Sequence, residues 1–362
     1  MSTVSLVPET RVLAIASHVS HFVKCGHDPH ISYVGNKMAT LVMQLLGCDV
    51  AALNTVHFSN HTGYRQFKGT RATAEQITEL YEGLCQSHLT DFDVMLSGYA
   101  PSAAAVEAVG AIGMDLQRKA EKNPGSFFWV LDPVMGDQGR LYVSNDVVPA
   151  YKTIIHHADL ILPNQFEAET LSGIKITSLS TLAEAITAIH ATYNVPHIII
   201  TSVDLSRFTQ SPSSQTTTPP DSLTVIGSTT RSDGPRVSSA STSQPWTATS
   251  AAQVTSPDDK VLGVPRRGQG HGSPSARATV QVLASMHSVL EKTMEARDAE
   301  LRAADTRGDE TLSEEERLKR EHLRKSKAAE VRLVRNVQYL REPTVVFQAQ
   351  EWRKEDLPAG SQ

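Results

Sequence analysis

Two carboxylates, Asp132 and Asp137, frame a turn in AspProValMetGlyAsp at 132–137. Such a pair suits Mg²⁺, which prefers oxygen ligands and is commonly held by one or two carboxylates plus substrate phosphates. ProAsnGlnPheGluAlaGlu at 163–169 places Asn164 and Glu167 at the opening of a helix, and ThrSerValAspLeu at 201–205 offers the hydroxyls of Thr201 and Ser202. Upstream, SerHisVal at 17–19, AsnThrValHisPheSerAsnHisThrGlyTyr at 54–64 and SerGlyTyr at 97–99 supply hydroxyls, imidazoles and aromatic rings. Each motif alone is weak: an isolated Asp–x₄–Asp pair more often caps a turn. His18, His57 and His61 lack the HxH or HxxxH spacing of a metal site, so ordinary hydrogen bonding is their expected role.

These groups gain meaning from the elements that must position them. Apolar runs at 11–16, 49–56, 94–96, 127–131, 160–162 and 198–200 read as strands. Between them, Met38 to Leu46, Ile77 to Leu84, Val106 to Leu116 and Leu182 to Tyr193 keep helical spacing. The alternation predicts an α/β fold in three layers, with a mostly parallel central sheet flanked by helices. Ligands of such sheets bind beyond the carboxyl ends of the strands. Every motif above directly follows one of these strands.

Taken in order, SerHisVal, TyrValGlyAsn at 33–36, AsnHisThrGlyTyr, AspProValMetGlyAsp, ProAsnGlnPheGluAlaGlu and IleThrSerValAspLeu at 200–205 resemble the pyridoxal kinases of the ribokinase-like superfamily, in their eukaryotic, fungal form. The resemblance covers 11–231 and resumes from 279 to 340. It implies ATP-dependent phosphorylation of the 5′-hydroxyl of pyridoxal, pyridoxine or pyridoxamine. It implies that Ser17 hydrogen-bonds the pyridine ring, that Thr62 contacts its substituents and that Tyr99 walls the pocket. On the nucleotide side it implies that Asp132, Asn164, Glu167, Thr201 and Ser202 meet ATP. Mg²⁺ would lie at Asp137, Asp132 and Thr201, with a monovalent cation, K⁺ or Na⁺, nearby. A homodimer, and a cytoplasmic location with the nucleus also open to it, follow from the same resemblance.

Two departures stand out. Residues 20–32 lengthen the passage from SerHisVal to TyrValGlyAsn, where the family's substrate-covering loop begins; Cys25, His27 and His30 there lack a fourth ligand for a metal. More seriously, the family's GlyThrGlyAsp is absent. Its glycine amides would form an anion hole at a helix N-terminus, and its Asp would be the base for the 5′-hydroxyl. The corresponding stretch offers only GlyGlnGlyHisGly at 268–272, where Gly268 and Gly270 imitate a phosphate nest and His271 is the one substitute base; Asp309 falls in a charged stretch. The catalytic base is therefore left unassigned. The alternatives are a vitamer- or nucleotide-binding pseudokinase and a hydroxymethylpyrimidine-type kinase.

Composition bounds the rest. Of 362 residues, 40% are hydrophobic and 20% charged, with a net charge of −5, which gives no reason to expect nucleic acid. No apolar run approaches a membrane span, and the N-terminus shows no secretory signal. Three scattered cysteines, Cys25, Cys48 and Cys85, suit reduced thiols. Ser, Thr and Pro supply 25 of residues 211–250, marking 206–278 as a linker-like insert within one domain spanning 11–347. SerLeuThrValIleGly at 222–227 is a lone strand candidate there, and 345–347 a last one. Residues 291–335 carry twelve acidic and twelve basic side chains, so a charged, solvated helix is expected over 298–335.

Overall fold

Strand β1 (Thr10–Val19) is buried continuously from Val12 to Ala16, as a strand covered on both faces must be. The computed structural model describes residues 10–19, 22–23, 30–31, 34–203, 224–230, 251–254, 274–304, 313–345 and 349–352. Among them, β1 pairs in parallel with β4 (Cys48–Phe58) on one side and β6 (Val94–Ser97) on the other. The parallel run continues through β7 (Phe128–Leu131), β10 (Leu160–Ile161) and β11 (His197–Val203). Antiparallel strands close both edges: β5 (Gly69–Arg71) beside β4, and β12 (Thr224–Thr229), β13 (Ala251–Val254) and β14 (Ala349–Trp352) beyond β11. Two short hairpins stand apart, β2 (Phe22–Val23) with β3 (His30–Ile31), and β8 (Gly136–Asp137) with β9 (Arg140–Leu141).

The helices follow the predicted spacing. They are α1 (Asn36–Leu45), α2 (Ala74–Gln86), α3 (Ala103–Ala120), α4 (Val147–Ile154), α5 (Gln165–Ser172), α6 (Leu179–Tyr193), α7 (Pro274–Ala304), α8 (Glu314–Ala328) and α9 (Val337–Arg341). Helices α2, α5, α6 and α8 each open on a capping box, with Thr73, Asn164, Ser178 and Ser313 as the caps. The main core joins the sheet to α2 through α6, around Trp129, Tyr151 and Ile161. Val289 of α7, with Leu333 and Leu340, forms a second core against Met38, Leu41, Val42 and Leu45 of α1. No helix among the described residues is long and apolar enough to cross a membrane.

The α/β sheet is as expected, and the strand candidate at 222–227 is β12, shifted to Thr224–Thr229. One expectation is corrected. The charged stretch over 298–335 is no single helix: α7 ends at Ala304, α8 runs Glu314–Ala328, and a turn that buries Leu333 follows. Buried apolar residues at 331–340 interrupt the solvated pattern that charge counting alone suggests. A last strand forms at Ala349–Trp352; of the candidate at 345–347, Val345 is in no strand and 346–347 lie outside the described residues. Within 206–278, residues 206–223, 231–250 and 255–273 lie outside the described ones, as do Cys25, His27, Gly268, Gly270, His271, Asp309 and the side chain of His30.

Strand β12 is tied to the parallel layer by His190 of α6. Its Nδ1 donates to the Val195 carbonyl at 2.7 Å, leaving Nε2 to accept from the Ser228 hydroxyl at 2.9 Å. Burial, only partly offset by the Val195 contact, lowers the imidazole to about 4. Between about 6.5 and 4 the unfolded chain therefore holds the extra proton. Stability is full above that range and is lost as pH falls through it, by roughly 3 kcal/mol at most. Urea denaturation of His190→Asn should show a weaker loss between pH 7 and pH 4.5 than the parent; identical pH slopes would contradict this role.

Candidate active site

Because the strands run parallel, the segments that follow β1, β4, β6, β7, β10 and β11 all emerge at one edge of the sheet. Chain order reverses at β1, with β4 to one side and β6 to the other, and such a switch point opens a crevice. Ser17 sits there just after a register shift between Ala16 and Ser17, an irregularity of the kind that re-aims side chains next to active sites. Gly35, at φ +59°, caps α1 against it. A Cβ at Gly35 would collide with the Ser17 carbonyl and hydroxyl, so both the dihedral and the close approach require glycine. The next residue, Asn36, is buried, and its amide nitrogen reaches the Ala14 and Leu53 carbonyls at 3.0 and 2.8 Å and Asn54 Oδ1 at 3.0 Å. One side chain thereby fastens α1 to β1 and β4 beneath Ser17.

His18 meets His57 edge to face, with ring centroids 5.0 Å apart. Burial, then His57 and Lys37, lower the His18 pKa, so this imidazole is neutral at physiological pH. Beyond β4, residues Thr62–Tyr64 form a single 3₁₀ turn, and His61 Nδ1 accepts the Gly63 N–H at 3.1 Å. Thr62 stays exposed on this turn. Tyr99 follows β6, its carbonyl accepting from the Thr55 hydroxyl at 2.6 Å, while the Tyr151 hydroxyl donates to the Gly98 carbonyl at 3.1 Å. A cavity of about 370 Å³ opens at the β4–β5 edge, lined by His57, Thr70, Arg71 and Gln76 among others. It shares none of Ser17, Thr62 or Tyr99.

The acidic half is built on Glu167. This residue is only 2% exposed, yet its carboxylate accepts three backbone N–H groups. Met135 and Gly136 donate to Oε1 at 2.8 and 3.3 Å, and Asn164 to Oε2 at 2.9 Å. Asn164 returns a bond through its amide to the Gly136 carbonyl at 2.8 Å. Gly136 has no room for a side chain, since a Cβ would press on Phe166 and the Arg140 carbonyl. The loops after β7 and β10 are thus locked together. Asp132 lies beside them, its N–H donating to the Ser97 carbonyl at 2.8 Å. Burial, and secondarily the Glu167 charge, push the Asp132 carboxyl up to about 7. Burial also raises Glu167, against the pull of its N–H donors. The Tyr142 hydroxyl, pushed up to about 12 by burial and then by Glu167, Asp137 and Asp132, senses all three carboxylates at once.

Asp137 is exposed at the rim, its Oδ1 accepting the Gln138 N–H at 2.7 Å. Thr201 lies farther along, its N–H donating to the Pro163 carbonyl at 3.0 Å, with Ser202 next in β11. Among the described residues no three His, Cys, Asp or Glu side chains could hold a metal ion by themselves. A divalent cation here would need ligand oxygens besides the carboxylates. Asn36, Lys37 and Glu330 were missed as site residues. The first two lie in or beside TyrValGlyAsn, which reads as a helix opening and a family motif without a role for either side chain, and Glu330 is hidden in the charged stretch.

The raised Asp132 carboxyl carries a pH signature. The folded state holds this proton up to about 7, whereas the unfolded carboxyl releases it near 3.8. The group's stabilisation is therefore complete at low pH and is lost as pH rises through that window. Asp132→Asn should gain stability over the parent in thermal denaturation, with a difference that grows from pH 4 to pH 7 and then levels. A difference independent of pH would contradict the burial argument.

Comparison with known proteins bears on the family and the fold. The phosphomethylpyrimidine kinase family model matches residues 69–254, just over half of the chain. A Schizosaccharomyces pombe relative is 42% identical over 192 residues, 53% of this chain and 58% of that protein. The pyridoxal kinase of Ovis aries is 38% identical over 227 residues, 60% of this chain and 68% of the other. The chain spans about three fifths of the length of the first curated relatives it matches. Among solved structures, the pyridoxal kinase from Leishmania donovani in complex with ADP and pyridoxamine superposes with a TM-score of 0.68 at 26% identity, covering 95% of this chain and all of the other. Fold, ordered strand-end motifs and these likenesses agree: the chain belongs to the phosphomethylpyrimidine kinase family of the ribokinase-like superfamily, in which its relatives from Ovis aries and Leishmania donovani are pyridoxal kinases.

Proposed function

We propose that the crevice binds a B6 vitamer (pyridoxal, pyridoxine or pyridoxamine) on its Ser17–Thr62–Tyr99 side and ATP on its Asp132–Glu167 side. The reaction it serves is transfer of the γ-phosphoryl group to the vitamer 5′-hydroxyl. The observation that carries this reading is the division of a single sheet edge. Hydroxyls and rings lie at the carboxyl ends of β1, β4 and β6, while the half-buried Asp132 and the buried Glu167 follow β7 and β10. Phosphoryl transfer asks mostly for positioning and charge neutralisation.

The residues present fit Mg²⁺. Asp132 is an oxygen donor whose charged form burial and Glu167 oppose, and a cation would reverse that penalty. Asp137 and Asp132 would hold the ion, directly or through water, and the bound ion would neutralise phosphate charge. Thr201 and Ser202 would meet the phosphates and a monovalent cation, K⁺ or Na⁺. Glu167, fully engaged by backbone donors, shapes the acidic loop rather than moving a proton. Ser17 and Thr62 orient the ring, Tyr99 packs on it, and a homodimer completes the reading.

The sequence lacks GlyThrGlyAsp, which sets the expected rate. General-base help is worth about 10²–10⁴-fold, and an oxyanion-hole donor on the order of 10²–10³-fold. The chain should therefore bind pyridoxal and Mg·ATP yet form pyridoxal 5′-phosphate slowly. A version with GlyThrGlyAsp restored before α7 should turn over at least about 100-fold faster, within those limits. Hydroxymethylpyrimidine, run as a competing substrate, should react less well than pyridoxal. Equal turnover with and without the restored motif would place the base elsewhere, with His271 the first group to replace. Failure of the parent to bind either ligand in calorimetry would overturn the reading.

A further inference from the structure

The turn that carries Thr62 is held by the far end of the chain. Glu330, only 6% exposed, accepts the Tyr64 hydroxyl at 3.0 Å on Oε1. The same oxygen lies 3.2 Å from His61 Nε2. Since His61 Nδ1 already accepts the Gly63 N–H, the ring proton sits on Nε2 and points at the carboxylate. From α8, His322 Nε2 reaches the Gly63 carbonyl at 3.0 Å. Residues on both sides of Thr62 are therefore gripped by 322–330, a span more than 250 positions away in sequence.

Glu330 is itself rigidly mounted. Two residues on, Arg332 bonds Glu300 of α7 at 2.8 Å through its guanidinium, and its N–H donates to the buried Thr293 hydroxyl at 3.1 Å. The Asn336 amide then donates to the Arg332 carbonyl at 2.8 Å. Leu333 and Leu340 anchor the segment in the second core against α1, the helix whose N-terminal cap abuts Ser17. Lys37 of that helix also senses the Glu330 charge. A buried carboxylate is costly unless hydrogen-bonded, and two donors on one oxygen supply that compensation with charge-assisted bonds.

We infer that Glu330 is a positioning residue for the Thr62 turn, setting the geometry of the vitamer side of the crevice without touching the nucleotide side. The inference rests on the vitamer reading of Thr62 for its ligand, though not for the contact itself. Two variants of the full-length chain test it, Glu330→Gln, which keeps the shape and one acceptor, and Tyr64→Phe, which leaves Glu330 in place and removes one donor. Hydrogen exchange over residues 60–66 should quicken in both, more in Glu330→Gln, while α2 stays at parental rates. Calorimetry should show pyridoxal binding weakened about tenfold in Glu330→Gln, with Mg·ATP affinity unchanged. Combining Glu330→Gln with Thr62→Val should weaken pyridoxal no further than the stronger single change.

Parental exchange over 60–66 in both variants would overturn the inference, whatever the ligand proves to be. So would additive losses in the double variant, or an equal loss of Mg·ATP binding, which marks general destabilisation. If the parent binds no vitamer, the functional reading falls and the exchange comparison still decides the role of Glu330.

Discussion

The parallel pairing of β1 with β4 on one side and β6 on the other is the constraint from which the site follows. A parallel ladder forces each strand to return through a helix, so the segments after the strands share one edge. Gly98 N–H donates to Ile15 O at 2.9 Å, Asp132 to Ser97 O at 2.8 Å, Leu162 to Leu131 O and Thr201 to Pro163 O at 3.0 Å. Each of these bonds carries the order of the sheet into the loop that follows it. The functional groups are thus fixed by backbone geometry before any side chain interacts.

On that frame, the buried Glu167 and the half-buried Asp132 do opposite things. Glu167 spends its oxygens on backbone N–H groups and so fuses the loops after β7 and β10. Asp132, beside it, is left with a charged form that its surroundings oppose. Placing one satisfied and one frustrated carboxylate together creates a demand for positive charge at the cleft. A polyphosphate escorted by a divalent cation answers it. Glu330 plays the satisfied part on the other side of the crevice, through Tyr64 and His61.

Much of this was legible in the sequence because it is local. Apolar runs such as Phe127–Leu131 and the spacing of Val106, Val109, Ile112 and Leu116 fix strand and helix without reference to distant residues. The motifs stood out because they sit at the carboxyl ends of strands: Ser17 near the end of β1, Thr201 and Ser202 near the end of β11, and Tyr99 just beyond β6. What escaped depends on contacts far apart in the chain. Asn36 gains its role from carbonyls at Ala14 and Leu53. Glu330 looks like any other charge in a balanced run until the fold buries it against Tyr64. Leu333 and Leu340 likewise become core only when α1 and α7 close on them, which is why a solvated helix was expected there.

The central claim is that one crevice holds a pyridine ring beside Ser17, Thr62 and Tyr99 and a triphosphate beside Asp132. A co-crystal structure with pyridoxal and a non-hydrolysable ATP analogue tests it most directly. The expected result places the ring within hydrogen-bond reach of Ser17 and Thr62, with the γ-phosphate directed at the 5′-hydroxyl from the Asp132 side. Density for the ring in the β4–β5 edge cavity by His57 and Arg71, or for the nucleotide away from Asp132 and Asp137, would contradict it.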